Sequence, residues 1–308
     1  MFNYFMKKIL LMLPIIWGVA TIVFVLKTVL PGDPARLLVG QHGDAKNIEL
    51  LRKKMGLDKP IYEQYINFMG DLFQGDLGYS FRKKRDVTAI IADRYYATMK
   101  LATIAIIFAS IFGISAGILA AMKQNTIWDG LVMVLSLAGI STPVFWLALM
   151  AILLFSTTLQ WFPTYGYGDG DFAHIVLPAF SLSMLSTGYI ARMTRSSMLE
   201  VIRQDFVRTA RAKGLSTYKV ILKHTLKNAM IPVITIIGIT FAQLLGGAIV
   251  TEYVFSWPGV GKLIVDAINL RDMPLVNGGV ILFAATFLVV NLAVDLIYGF
   301  FDPRIRFD

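Results

Sequence analysis

The chain has 308 residues, of which 56% are hydrophobic and 16% are charged, and it contains no cysteine. Uncharged runs of about 20 residues recur along it, and a soluble protein of this composition would expose large apolar patches to water. The composition therefore predicts an integral membrane protein and excludes a disulfide framework and any cysteine-ligated metal site. The net charge of +9 fits either nucleic-acid binding or the excess of basic residues on the cytoplasmic side of membrane proteins.

Six apolar segments are long enough to span a bilayer, because a helix rising about 1.5 Å per residue needs about 20 residues to cross roughly 30 Å of hydrocarbon. The first, from about Ile9 to Leu26, follows Lys7 and Lys8 but is too long for the apolar part of a signal peptide, and no small-residue cleavage site follows it. We therefore expect an uncleaved span. The other five are predicted at Leu101–Met122, Leu131–Ser156, His174–Ala191, Ala229–Thr251 and Met273–Val294.

Basic residues between the spans favour one side of the membrane. If the N-terminus is cytoplasmic, fourteen Lys and Arg residues lie in cytoplasmic segments, nine of them between Arg192 and Lys227. The short external loops then hold two, Lys262 and Arg271. This asymmetry predicts a multi-pass membrane protein with both termini in the cytoplasm, including the tail with Arg304 and Arg306.

The predicted fold class is an all-α polytopic membrane protein with three regions. Residues 1–30 form a cytoplasmic stub and the first span, residues 31–98 an external subdomain, and residues 99–308 a core of five spans with a cytoplasmic loop at 192–228. The external segment carries eleven basic and nine acidic residues, but segments longer than about 60 residues cross membranes largely regardless of charge. Its helical patterns lie at Glu49–Met55 and Tyr62–Phe73.

No segment provides an energy source for transport. The stretch Ser256–Leu263, SWPGVGKL, differs from a phosphate loop at its first and last positions, and His42, His174 and His224 fit no metal-ligand spacing. Ion-driven carriers need ionisable groups near the bilayer midplane, and the spans contain few. If the protein is an active transporter, we expect a partner to supply the energy.

Six residues in the spans are candidates for a translocation path. Asn291 and Asp295 share a helix face, where the alternative is an interhelical hydrogen bond and an interfacial charge. Gly246 and Gly247 could line a path or allow close helix packing. The remaining candidates are Ser141 and Thr142.

The basic loop has a helical pattern. Met198, Ile202, Phe206 and Ala210 recur every four residues and predict one buried stripe of a helix that Gly214 ends. Ser216 is predicted to cap a second helix. The residues alone leave two uses for this surface, contact with anionic headgroups and docking to a cytoplasmic partner. We do not expect nucleic acid, since no recognised motif accompanies the charge.

Motifs along the whole chain resemble one family. Gly214, Ala210 and Leu226 fit the EAA loop of ABC importer permeases, whereas Arg208 and Thr209 replace its Glu and first Ala, and His224 and Lys227 replace its Ile and Pro. The peptide, nickel and glutathione branch of these permeases has similar departures. The resemblance to that branch, and within it to the first permease subunit of dipeptide and oligopeptide importers, rests on RTARAKGLS, KHTLKNAMIP, VDLIYGFFDPRIRF, LPGDPARLL, MGLDKPIYEQY, GDLGYSF, ISTPVFW and VFSWPGVGKL.

The resemblance implies a function and a set of partners. It implies a permease subunit, in the bacterial inner membrane, of a binding-protein-dependent ABC importer for short peptides. The alternative substrates are nickel chelates or glutathione, and the alternatives from other classes are an ion-coupled carrier and a membrane receptor without transport. The implied partners are a second homologous permease, two cytoplasmic ATPase subunits that bind ATP and Mg²⁺, and an external binding protein, with no catalytic residue, cofactor or metal in this chain. The residues assigned by position to ATPase coupling are Asp205, Arg208, Thr209, Ala210, Arg211, Lys213, Gly214 and Leu215.

Overall fold

The computed structural model describes residues 2–29, 33, 35–36 and 44–301, and side chains between residues 6 and 296. Almost all of this part is helical, and its strands are one antiparallel two-residue pair, β1 (Tyr79–Ser80) and β2 (Arg85–Asp86). The predicted all-α membrane architecture is confirmed. The predictions that concern His42, Arg304 and Arg306 lie outside the described residues.

The helices follow one another with short connections. In chain order they are α1 (Phe2–Val29), α2 (Ala45–Lys54), α3 (Ile61–Phe73), α4 (Val87–Met122), α5 (Ile127–Ser141), α6 (Val144–Ala151), α7 (Phe172–Val201), α8 (Asp205–Ala212), α9 (Lys227–Val254), α10 (Val260–Asn269) and α11 (Met273–Phe301). A π-helical segment, Ile152–Thr158, continues α6, and a 3₁₀ turn, Gly168–Gly170, precedes α7. A helical turn at Thr217–Lys219 and a π-helical segment at Val220–Leu226 lead into α9.

Five helices are each long and apolar enough to cross a membrane, and a bent helix pair makes a sixth candidate if the pair is one span. In the described part of the chain, the five are Met6–Val29, Val87–Met122, Phe172–Val201, Thr217–Val254 and Met273–Leu296. Where the sequence predicts one helix over Leu131–Ser156, α5 and α6 meet at an angle of 106°. Proline disfavours a helical backbone at the residue before it, and Thr142, which precedes Pro143, has the extended angles φ −86° and ψ 128°.

Two helices are longer than the apolar segments predict. Helix α4 begins at Val87 instead of Leu101, and α7 runs to Val201 instead of Ala191. The added residues are buried on one face, which a search for continuous apolar runs does not detect. Ile90 and Ile91 are 4% and 2% exposed in α4, and Met198 is fully buried in α7.

The chain folds into two compact units. Unit one comprises Met1–Ala97 and Pro258–Thr286, and its main apolar cluster joins the start of α4 to α10 and to the start of α11. A smaller cluster joins α1, α3 and α11 through Ala20, Met69 and Ile281. The side-chain hydroxyls of Thr21 and Tyr65 are 2.8 Å apart, which fixes α3 along α1.

Unit two comprises Thr98–Trp257 and Phe287–Asp308, and α7 is its central helix, packed against α5, α6 and α9. At one end of this unit Glu252 is fully buried and accepts a 2.6 Å hydrogen bond from the Thr98 hydroxyl. The buried Trp257 ring lies 4.7 Å from Tyr167, and the Lys100 ammonium donates to the Gly170 carbonyl at 2.8 Å. These contacts attach the connection before α7 to the ends of α4 and α9. The three regions proposed from the sequence stay a prediction.

Candidate functional site

Helix α8 packs against the ends of the neighbouring spans. Val207 and Ala210 are 0% and 4% exposed and belong to one apolar cluster. The other buried members come from the end of α4, the end of α7, the π-helical segment and the start of α9: Ala121, Met198, Val201, Val220, Ile221 and Ala229. Because side chains from several spans surround this small helix, a force on it would act on all of them.

The sequence predicts that Phe206 belongs to the buried stripe of this helix, and that prediction is wrong. That ring is 40% exposed, whereas Val207 is buried in its place. The single long helix expected from Met198 to Lys213 is broken at residues 202–204, so α8 starts with a new rotational phase. A four-residue repeat holds only within one continuous helix, which is why it fails across the break.

Gly214 ends α8 with a left-handed backbone, φ +74°. Its N–H donates to the Arg211 carbonyl at 2.9 Å, and the Leu215 N–H donates to the Ala210 carbonyl at 3.4 Å. This pair of hydrogen bonds is the Schellman motif, in which glycine avoids the steric cost of positive φ. Ser216 precedes the next helical turn, but its side chain makes no capping hydrogen bond.

The outer face of α8 and its turn is exposed and mainly cationic. Asp205 and Arg208 lie 3.7 Å apart with side chains 97% and 77% exposed, so their ion pair contributes little to stability. The Thr209 hydroxyl donates to the Asp205 carbonyl at 2.9 Å. The proposed coupling residues on this face are Asp205, Arg208, Thr209, Arg211, Lys213, Gly214 and Leu215, whereas Ala210 is buried beneath them.

An ion pair that the sequence analysis did not identify joins α5 to α7. Arg195 Nε and Nη2 lie 2.6 and 2.7 Å from the two carboxylate oxygens of Asp129, which also accepts from the Asn125 N–H at 3.0 Å. Asp129 is in the first turn of α5, where the helix dipole favours an acid. Arg195 was counted as a loop residue, but α7 extends past it. An aspartate at the start of an otherwise apolar span was the signal for this contact.

The polar candidates for a path are hydrogen-bonded within their own helices. The Thr142 hydroxyl donates to Ala138 at 2.7 Å, and the Asn291 amide donates to Phe287 at 2.9 Å. Ser141 is exposed beside the bend, and Asp295 is half-buried one turn after Asn291. The hydrogen bonds of Thr142 and Asn291 therefore do not bring α5 and α11 to a shared site.

The two candidate glycines are not at tight helix contacts. A Cβ on Gly246 would have no heavy atom within 4 Å, and one on Gly247 would meet Leu182 at 3.5 Å, an ordinary contact. Close approaches occur at other glycines, among them Gly113 and Gly117 of α4. These two form a G-x-x-x-G pattern, which marks close helix packing in membranes and could have been read from the sequence.

Comparison with known proteins defines the class. Residues 113–307 match the family model described as "Binding-protein-dependent transport system inner membrane component", and residues 1–102 match the model of the corresponding N-terminal region. The chain therefore belongs to this family and is a permease subunit of an ABC importer.

The chain is similar to known proteins at two levels, sequence and fold. "Glutathione transport system permease protein GsiC" from Escherichia coli (strain K12) and from Shigella flexneri serotype 5b are each 43% identical over 307 residues, covering 100% of both chains. A structure of the MetNI methionine ABC transporter in an inward-facing conformation has a TM-score of 0.57 at 17% identity and covers 68% of this chain and 94% of its own. The likeness to MetNI supports the fold alone.

Proposed function

We propose that this chain is the first of two permease subunits of a bacterial importer for short peptides, with glutathione the substrate to test first. The support is the full-length 43% identity to proteins named as glutathione transport permeases, since glutathione is itself a tripeptide. The test is ligand binding by the cognate external binding protein, followed by uptake of the labelled ligand through the complete complex. A binding protein that takes neither glutathione nor other short peptides would contradict the substrate class.

The proposed assembly contains a second homologous permease, two cytoplasmic ATPase subunits and an external binding protein. ATP and Mg²⁺ are bound in the ATPase subunits, and this chain contributes no cofactor. We place the complex in the inner membrane with both termini cytoplasmic. Fourteen basic residues in the cytoplasmic segments, against two in the short external loops, support that orientation.

Helix α8 and the turn after it form the proposed coupling element, residues 205–215. The observation that carries this proposal is the two-sided character of α8, with Val207 and Ala210 anchored among four chain segments and a cationic surface facing outward. A groove on the ATPase binds that outer surface. Closure of the ATPase dimer then pushes on α8, and the buried anchor transmits the displacement to the attached spans.

The test of the coupling element is Gly214→Val compared with Gly214→Asn. A side chain at this position would meet no neighbour within 4 Å, so strain arises from φ +74° alone. Asn tolerates the left-handed conformation and Val does not. We expect Gly214→Val to reduce ATP-driven uptake by at least about tenfold and Gly214→Asn to retain most of it. Normal ATP-driven uptake by Gly214→Val would remove the assignment.

The proposed path consists of Ser141, Thr142, Gly246, Gly247, Asn291 and Asp295. These small or polar residues lie in otherwise apolar spans, and Ser141 and Gly246 are exposed in the single chain. Transport by the reconstituted complex should require the ATPase subunits and ATP. Uptake on an ion gradient by the permease subunits without the ATPases would contradict the mechanism.

A further inference from the structure

In unit one, an apolar groove lies between α1 and the start of α11, next to the end of α10. It has a volume of about 380 Å³, and two polar side chains reach it, Lys27 and Asn277. Because α1 and α11 are both candidate membrane spans, hydrocarbon is the surrounding solvent along most of its length. The apolar lining consists of Val19, Ile22, Val23, Leu26, Ile268, Met273, Val276 and Val280.

One end of this groove is cationic. Lys27 and Met273 line both the groove and a small adjoining cavity, whose walls also include Arg82 and Arg271. Asp272 contributes a carboxylate to that cavity, but it is 4% exposed and accepts a hydrogen bond from the Ser80 hydroxyl. Among the described residues at this end, the ammonium of Lys27 lines the groove and the guanidinium of Arg271 lines the adjoining cavity, while the carboxylate of Asp272 is buried.

We propose that this groove binds one anionic phospholipid, with an acyl chain along α1 and the headgroup phosphate at Lys27 and Arg271. A phosphate forms charge-assisted hydrogen bonds with ammonium and guanidinium groups. Basic pockets beside membrane helices recognise anionic headgroups in the same way. The lipid is a ligand of unit one and is distinct from the transported substrate.

The charge at the end of the groove decides between a lipid and a protein helix as its occupant. An apolar helix from a partner subunit would match the walls but would supply no anion for Lys27 and Arg271. An anionic phospholipid matches both parts with one molecule. A zwitterionic lipid matches the walls but brings no net negative charge to these two cations.

The experiment measures lipid retention by native mass spectrometry. The complex is purified with its partner subunits, depleted of lipid, and supplied with phosphatidylglycerol or phosphatidylcholine of identical chains. A cation beside an anionic headgroup contributes about fivefold to binding, so Lys27→Gln with Arg271→Gln should lower phosphatidylglycerol retention about thirtyfold and leave phosphatidylcholine unchanged. Lys46→Gln, an exposed lysine of unit one that does not line the groove, is the control and should change neither.

A second pair of variants tests the apolar part. Val280→Phe fills the groove and should reduce phosphatidylglycerol retention, whereas Val289→Phe, at a 59% exposed position later in α11, should not. Lys27→Gln and Arg271→Gln change no apolar side chain of the core, so they should assemble normally. They test the lipid site even if the Val280→Phe complex does not assemble. The proposal is overturned if the double charge variant retains phosphatidylglycerol normally, if phosphatidylcholine is retained equally well, or if cross-linking places a partner-subunit helix in the groove.

Discussion

Glycine residues allow a close contact between α4 and α7 in unit two. A Cβ on Gly117 would lie 2.5 Å from Thr194 Cβ and 2.7 Å from the Ala191 carbonyl oxygen. One turn earlier, a Cβ on Gly113 would lie 2.8 Å from Ile190. The backbone of α4 therefore approaches α7 directly, and the two helices pack through van der Waals contact, which is the principal attraction between helices in lipid.

Replacing Gly117 with Ala should destabilise unit two. Because one clashing atom belongs to the backbone, the helices must separate, and overpacking of this kind costs about 1–3 kcal/mol. Gly130→Ala is the matched control, since a Cβ there has no heavy atom within 4 Å. Removing that glycine from a helix should stabilise by about 0.5–1 kcal/mol. Thermal unfolding of the purified complex measures both, and equal melting temperatures for the two variants would contradict the contact.

At the scale of one element, neighbouring residues of α8 differ in burial. Val207 lies in the apolar cluster that holds the helix to the spans, and its neighbour Phe206 is 40% exposed. Consecutive residues on a helix point about 100° apart, so one can be buried while the next faces outward. The outward side is the surface that we propose docks to the ATPase subunits.

Truncating these two neighbours should give opposite results. Val207→Ala should lower the free energy of unfolding by about 1–3 kcal/mol, because it leaves a cavity among buried side chains. Phe206→Ala should leave thermal stability nearly unchanged but weaken co-purification of the ATPase subunits, since exposed aromatic side chains act as interface anchors. Stable ATPase association in Phe206→Ala would show that the interface lies elsewhere.

At the scale of the whole chain, the spans differ greatly in how much the protein itself covers them. In the most apolar part of α7, 56% of residues are buried, against 17% in the corresponding parts of α1 and α11. A span that is mostly uncovered in one chain contacts lipid or other subunits in the membrane. Helix α7 is therefore largely enclosed by the chain, whereas α1 and α11 leave most of their apolar surface for such contacts.

Single-cysteine labelling tests which exposed positions line an aqueous path. The chain has no cysteine, so each introduced thiol is the sole one on this subunit. Ser141→Cys and Gly246→Cys should react at least about tenfold faster with a charged, water-soluble thiol reagent than Val134→Cys, since the reactive thiolate forms in water and not in hydrocarbon. Val134 is an exposed apolar residue of α5 and serves as the lipid-facing control. Equal rates at all three positions would remove Ser141 and Gly246 from the path.

Much of the secondary structure of this protein can be predicted from the sequence, because a lipid bilayer restricts which segments can cross it. Apolar runs of about 20 residues identify the spans, since each backbone polar group in hydrocarbon must be paired within a helix. The external helical patterns at Glu49–Met55 and Tyr62–Phe73 correspond to α2 and α3. Gly214 marked the end of α8 in the same way, because positive φ is a local property of one residue.

Other features depended on interactions between distant residues, which only the tertiary structure reveals. The sequence predicts one continuous helix over Leu131–Ser156, whereas in the structure α5 and α6 meet at 106° and both pack against α7. The burial of Val207 in place of Phe206 depends on a break at residues 202–204, and the pairing of Asp129 with Arg195 joins residues 66 positions apart. The sequence by itself thus determined that this is a helical membrane protein and located most of its spans, through composition and the length of its apolar runs. The tertiary structure decided which faces of those helices are buried, because burial depends on neighbouring segments that periodicity does not identify.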